Sequence, residues 1–390
     1  MSNDALWLWM QQLFGIGTRR AHTVLERYGS PDELLSMQGK RLEQDSFFTS
    51  EEKKAIASPN LNKYEKYIDE AKNKGVLFIT PDSEYYPEEL RNIHSPPLIL
   101  SAKGDLSLLR DHYLITMVGS RKPDTYGLSA AQKLSSEIAD LGGVVVSGMA
   151  LGIDVASHKG ALDAGGTTIA ILAAGIDIDY PQFNKDVRNR IEKNGLVLTE
   201  YMMGTTAMPY NFPIRNRLLS GISLATVIVQ AARHGGTMLT AAHALSQNKD
   251  LFAVPGSIFM QNMEGCNWLL SEGAIPALSG EYILMRYPEI YGYELVEKKT
   301  IENNKRPDIK STDIKTEKPV KDAPVHLSLI QEKVYVEITA EGNYIDELCE
   351  KANLGAGELL SIITQLELFG LVQMRPGRKV VLIERGASNR

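Results

Sequence analysis

The stretch YLITMVGSRKPDTYG, residues 113–127, carries the fold class: an apolar run of strand length breaks at Gly119-Ser120-Arg121, and helical sequence follows. The same kind of run recurs from about residue 75 to 290 in GVLFIT, PPLILSA, GVVVSG, TTIAILAAG, LVLTE, ATVIVQ and DLFAVPG, alternating with amphipathic helices. Such runs belong to a mostly parallel sheet covered on both faces, so the core reads as a Rossmann-like α/β domain. In open sheets ligands bind beyond the carboxyl ends of the strands. At those ends stand Gly119-Ser120-Arg121, Ser147-Gly148, Gly175, Glu200, Gln230 and Pro255-Gly256.

Around this core the chain divides into further parts. Residues 1–74 read as a small helical domain, similar to SAM or helix-hairpin-helix modules: apolar positions recur at three and four in ALWLWMQQLF and AHTVLERY, and Ser30-Pro31 offers an N-cap and first helical position. Within it GIGTRRAHTVL (15–25) has a Gly-hydrophobic-Gly turn whose amides can meet a DNA phosphate; a tight interhelical turn is the commoner meaning of such glycines and the favoured reading. The sheet domain is expected over 75–293 and a charged, proline-punctuated, disordered linker over 294–325. Residues 326–390 read as three helices and two short strands joined by a PGRK turn, a winged helix-turn-helix.

Composition narrows the function. The 390 residues are 43% hydrophobic and 23% charged, with a net charge of -6, so a nucleic-acid site must be a local concentration of Lys and Arg. Cys266 and Cys349 stand alone without metal-ligand spacing and read as structural, in a reducing compartment. The N-terminal residues lack the marks of a signal peptide, and no apolar run approaches the roughly 18 residues of a membrane span; a cytoplasmic protein without membrane insertion is expected. No G-x-G-x-x-G fingerprint and no P-loop occurs, which excludes P-loop ATP hydrolysis, and no cofactor or metal motif is present.

Candidate anion-binding groups cluster at the sheet edge. In FPIRNRLLSG (212–221) Pro213 suits a first helical turn, which places Arg215 and Arg217 beside the partial positive charge of a helix N-terminus. That position is unfavourable unless an anion offsets it. Arg121 is either a surface arginine paired with an acid or an anion contact, and its place at a strand end favours the second. The glycines of SGMALGID (147–154) let backbone approach a ligand closely, while Asp154 most simply caps the helix that follows. His158, one turn further on, is open to a phosphate contact, acid-base work or simple packing. Lys185 is well placed for the crevice, whereas Arg188 and Arg190 suit a solvated basic face. Gly235, Gly236 and Thr237 start another helix and read as an anion site satisfied by amides. Tyr180, Tyr210 and Phe212 are near enough in sequence to stack on bases.

The succession GSR, SGMALGID, HKGAL, GGTTIAIL, GID with YP and N, FPIRNRLLSG, TA and FAVPG resembles the DNA-processing protein A family (DprA, also called Smf). The resemblance covers about residues 80 to 280. It implies a non-enzymatic, dimeric, Rossmann-fold protein that binds single-stranded DNA, protects incoming strands in natural transformation and loads the RecA recombinase on them. Carried onto this sequence, the DNA site would comprise Gly119, Ser120 and Arg121, Ser147 with the Gly148 to Gly152 loop, Lys185, and Phe212, Arg215, Asn216 and Arg217. The awaited anion would then be a DNA phosphate. Three departures stand out: Met149 and Leu151 where the family often has glycine and arginine, Gln230 for a glutamate, and Gly235-Gly236-Thr237 for SGS.

Two further classes compete. A nucleotide-cleaving enzyme of the phosphoribohydrolase type would use a G-G-x-G-T turn and an acid, but HGGTMLTAAH matches only half of that turn and the preceding strand ends in Gln230. A transcription factor would read DNA with its winged helix, yet AGELLSIITQLELFG carries no Arg or Lys.

Overall fold

The computed structural model describes residues 2–287 and 329–382, apart from 38, 111, 112, 340, 341, 353, 369, 370 and 376–378. The expected linker at 294–325 and most of the PGRK turn lie outside the described residues. The chain divides into two compact units, Met1–Arg306 and Pro307–Arg390.

The first unit begins with six helices: α1 (Asn3–Phe14), α2 (Arg20–Tyr28), α3 (Pro31–Ser36), α4 (Lys40–Gln44), α5 (Ser50–Ala57) and α6 (Leu61–Asn73). Helix α1 buries Trp7, Leu8, Trp9, Met10 and Phe14 in a core that also takes Val24, Leu34, Ile56 and Ile68. Ser30 and Thr49 each accept the amide of a glutamate three residues on, whose carboxylate returns to the cap amide, so both helix starts are capping boxes. The Gly15–Gly17 turn between α1 and α2 is a packed turn: Gly17, at φ 71°, lies so close to Ile214 that a Cβ would sit 2.6 Å from its Cγ2.

The sheet follows, in the order β1-β2-β6-β5-β4-β3-β7-β8-β9. Its strands are β1 (Leu77–Ile79), β2 (Leu100–Gly104), β3 (Leu114–Gly119), β4 (Val144–Ser147), β5 (Thr168–Ile171), β6 (Leu196–Thr199), β7 (Ala225–Gln230), β8 (Asp250–Ala253) and β9 (Ile275–Pro276). Pairings from β6 across to β9 are parallel, while β2 joins β6 and β1 joins β2 antiparallel. A short helix, α7 (Glu88–Arg91), precedes β2, and α8 (Thr125–Asp140), α9 (Ile153–Asp163), α10 (Lys185–Asn194), α11 (Asn211–Ile222), α12 (Thr237–Ser246), α13 (Glu264–Ser271) and α14 (Gly280–Leu284) complete the layers. Strands β3, β4, β5 and β7 are buried almost throughout, which is why they read as unbroken apolar runs. The chain winds from β3 through β4 and β5 to β6, then returns along α11 to β7 on the other side of β3. Strand order therefore reverses between β3 and β7, and a crevice opens at their carboxyl ends.

Helix α11 ties the helical region to this sheet. Arg217 is buried and donates from Nη2 to Glu200 Oε2 at 2.5 Å, while Gln11 of α1 donates to the Glu200 carbonyl at 2.9 Å. Trp7 Nε1 donates to Asp82 at 2.8 Å, and the Met203 amide donates to the Tyr67 hydroxyl at 2.8 Å. Helices and sheet thus share one unit.

The second unit packs helices Leu329–Val336, Ile345–Ala352 and Ala356–Leu368 over Val334, Leu348, Leu359, Ile363 and Val380. Strands β10 (Asn343–Tyr344), β11 (Val372–Arg375) and β12 (Lys379–Leu382) form an antiparallel sheet in the order β10-β12-β11, so a winged helix stands here with one strand more than the sequence pattern indicates.

Removing one member of a buried ion pair strands the other charge. Glu200→Ala is expected to lower unfolding free energy by about 3–5 kcal/mol, read by urea denaturation; a loss below about 1 kcal/mol would show that water reaches Arg217.

Candidate nucleic-acid interface

The reversal point opens into a cleft of about 450 Å³. Its walls come from the ends of β3 and β7 with the turns after them, and from the starts of α11 and α12: Gly119, Ser120, Arg121, Phe212, Arg215, Asn216, Gly235, Gly236 and Thr237 all line it. Asp154 also lines it, and is the only acidic group among the lining residues.

Arg121 is the exposed cation of the cleft. Its guanidinium lies 4.4 Å from the centre of the Phe212 ring, a cation–π contact that holds the side chain over the opening. Tyr180 packs on the same ring at 5.9 Å, while Tyr210 is exposed nearby in sequence. Helix α12 begins without a side-chain cap; the Met238 and Leu239 amides donate to the carbonyls of Gly235 and Gly236, and Gly236 and Thr237 stand at the cleft wall.

Arg215 is buried, and its hydrogen bonds are made inside the protein. It donates to the Gly148 carbonyl at 2.8 Å, to the Ile171 carbonyl, and from Nε to Asn216 Oδ1 at 3.3 Å. Burial pushes its pKa down to about 10, against the pull of Asp154. The glycines of the 147–154 loop serve this arrangement, which corrects the expectation that they approach a ligand. A Cβ on Gly148 would lie 2.5 Å from the Arg215 guanidinium, and one on Gly152, at φ 83°, would lie 2.4 Å from the Ser120 carbonyl. The loop is glycine-rich because an arginine and the 120–123 turn press against it.

Asp154 does not cap its helix as expected. Gly152 takes the cap position, and Asp154, in the first turn, accepts the Ala150 amide at 3.4 Å. Burial raises its pKa, and the charges of Arg215 and Arg121 pull the other way.

Several expected contacts lie elsewhere. Arg217 faces Glu200 in the interior and is absent from the cleft wall, so its anion is a carboxylate of the chain itself. His158 is fully buried, with Nδ1 2.7 Å from Thr168 Oγ1, and burial lowers its pKa to about 3; packing is its role. Ser147 is buried and donates to the Met117 carbonyl at 2.6 Å. Lys185 is exposed but pairs with Asp179 at 3.0 Å, outside the lining residues. Arg188, expected on a solvated face, is buried and donates to the carbonyls of Ile176 and Ile178. Arg190 stays at the surface, paired with Asp163.

Gln230 closes the floor beside the cleft. Its Oε1 accepts the Asp124 amide at 3.1 Å and its Nε2 donates to Asp124 Oδ1 at 2.9 Å, while Asp124 caps α8 by accepting the Gly127 amide. The capping amide and Gln230 hold the Asp124 carboxyl below its usual range. Sequence reasoning missed this pairing because the two residues are 106 positions apart.

Two outcomes follow. Gln230→Glu sets a second carboxylate against Asp124, raising the pKa of one of them in the folded state. Stability should fall by about 1–3 kcal/mol at pH 7 and recover toward pH 4 as that proton binds, measured by urea unfolding across pH. For His158 the folded pKa lies below the ordinary histidine value of 6.5, so the unfolded chain binds the extra proton on acidification. Wild type should lose up to about 1.4 kcal/mol for each pH unit below about 6.5, and His158→Gln should show a smaller slope.

Residues 77–288 match the family described as DNA recombination-mediator protein A, and residues 318–378 match the DprA winged helix domain. The chain is similar to Protein Smf of Synechocystis, 30% identical over 97% of this chain and 98% of that protein. It is also similar to the DNA processing protein DprA of Bacillus subtilis, 38% identical over 56% and 73%. Among solved structures it resembles DprA from Streptococcus pneumoniae, with a TM-score of 0.59 and 29% identity over 73% of this chain and 98% of that one. It further resembles DprA from Helicobacter pylori, whose single-stranded DNA binding mode that structure describes, with a TM-score of 0.50 and 30% identity over 55% and 97%. With more than half its length matched by the first family model and its winged helix by the second, the chain belongs to the DNA recombination-mediator protein A (DprA/Smf) family.

Proposed function

We propose that this chain is a non-enzymatic recombination mediator that grips single-stranded DNA in the β3–β7 cleft. In this reading it protects incoming strands during natural transformation and hands them to a RecA-type recombinase, acting in the cytoplasm as a homodimer. One observation carries the DNA reading: Arg121, exposed and held over the Phe212 ring, stands at a cleft that Gly235, Gly236 and Thr237 at the start of α12 also line. An exposed cation suits a phosphate, and a neighbouring aromatic ring suits an unstacked base. Family membership supports the choice of single-stranded DNA, as does the likeness to the Helicobacter pylori protein, which binds it. RecA loading and the dimer rest on the family resemblance alone. The same reading keeps working domain limits of 1–74, 75–293, 294–325 and 326–390, beside family matches at 77–288 and 318–378.

Nucleotide cleavage is the weaker reading, since the strand end that would carry its acid holds Gln230, buried in its bonds to Asp124.

Fluorescence anisotropy of labelled oligo-dT and of matching duplex, at two salt concentrations, tests the proposal. Single strand should bind more tightly than duplex, and Arg121→Ala should weaken binding at least tenfold. The variant should also reduce the slope of log affinity against log salt by about 0.7, the share of one single-strand phosphate. Affinity indifferent to Arg121 would overturn the assignment of DNA to this cleft.

A further inference from the structure

Beside the contact of Arg121 with Phe212 the surface turns aromatic. Tyr180 sets its ring 5.9 Å from that of Phe212, inclined at 60°, and is itself 45% exposed. Three residues on, Phe183 is 92% exposed, and Tyr210, two residues before Phe212, is 65% exposed. Single apolar side chains at a surface are ordinary, but rings gathered next to one another mark a binding surface.

The backbone that carries Phe183 is fastened on both sides. It forms the single turn Gln182–Asn184, in which the Asn184 amide donates to the Pro181 carbonyl at 3.0 Å. Asn184 is buried and donates from Nδ2 to the Met149 carbonyl at 3.0 Å, which ties the turn to the 147–154 loop that also receives Arg215. At the other side Tyr180 rests on Phe212, and Phe212 lies under Arg121 at 4.4 Å. Three residues of chain span at most ~11 Å, so Phe183 stands within about three nucleotides of Tyr180 at B-form spacing. Contacts on each flank thus hold in place a ring that packs on nothing of its own.

The chemistry of this strip selects its occupant. A single strand gripped at one phosphate by Arg121 carries flat, apolar base faces along its length, and an aromatic ring accepts the face of any base. The carboxylate that adjoins Tyr180, Asp179, is paired with Lys185 at 3.0 Å, which reduces its repulsion of a DNA backbone.

We propose that Phe183, with Tyr180, forms a base-stacking platform that extends the cleft, so that a single strand held at Arg121 runs over Phe212 and Tyr180 onto Phe183. The proposal rests on the cleft being the DNA site. Stacking ignores base identity, so the platform adds affinity without sequence preference.

Anisotropy with labelled oligo-dT and with an abasic strand of the same number of phosphates separates stacking from phosphate grip. Phe183→Ala should weaken oligo-dT binding at least fivefold and leave the abasic strand unaffected. The slope of log affinity against log salt should stay at its wild-type value, because no phosphate contact is lost. Phe183→Trp should restore the affinity. Oligo-dT binding unchanged in Phe183→Ala, with Arg121 still required, would overturn the platform and leave the DNA reading standing. The platform is equally overturned if Phe183→Ala dissociates a dimer in sedimentation while DNA affinity holds, since the ring would then belong to a contact between two copies of the chain. Binding indifferent to both Phe183 and Arg121 would overturn platform and cleft together.

Discussion

The buried guanidinium of Arg215 is the constraint around which the cleft is arranged. It reaches from α11 to the carbonyls of Gly148, after β4, and Ile171, at the end of β5. A charge placed there loses its hydration, and its stability depends on carbonyl dipoles, on the nearby Asp154 and on close fit. The fit requires Gly148, since any side chain at 148 would occupy the guanidinium's position. Helix α11 is thereby held against the strand ends, and its first turn becomes one wall of the cleft.

The second arginine of the same helix extends this anchoring away from the cleft. Arg217 meets Glu200 at the end of β6, and Gln11 of α1 bonds the Glu200 carbonyl. Gly17 approaches Ile214 beside the two arginines. One helical turn thus holds the sheet on one side and the helical region on the other. Of Arg121, Arg215 and Arg217, only Arg121 is exposed.

The departures from the family pattern acquire physical meanings in this setting. Met149 adopts φ 57°, a conformation that favours glycine and costs other residues roughly 1–2 kcal/mol. Its side chain is buried with Leu162, Leu172 and Ile176, which offsets that cost. Leu151 is exposed, so the arginine often found there is replaced by an apolar side chain on the surface. Gln230 supplies one donor and one acceptor to Asp124, a pattern that a glutamate could complete only by carrying a proton.

The apolar runs and glycine turns by themselves determined the class of fold, because buried parallel strands must be apolar along their whole length and a Rossmann-like sheet must turn at its carboxyl edge. The same local rules marked the Ser30-Pro31 helix start, the winged-helix helices and the strand-end position of Arg121. Only the tertiary structure decided which basic residues face solvent. Arg215 and Arg217 lie in the same helical turn region as Asn216, yet both point inward, because Ile171 and Glu200 bring their acceptors from 44 and 17 residues away. His158, Ser147 and Arg188 were likewise indistinguishable in sequence from surface groups until packing closed over them. Sequence spacing reports the face of an element. Whether that face meets water, a ligand or another strand depends on partners brought together from far along the chain.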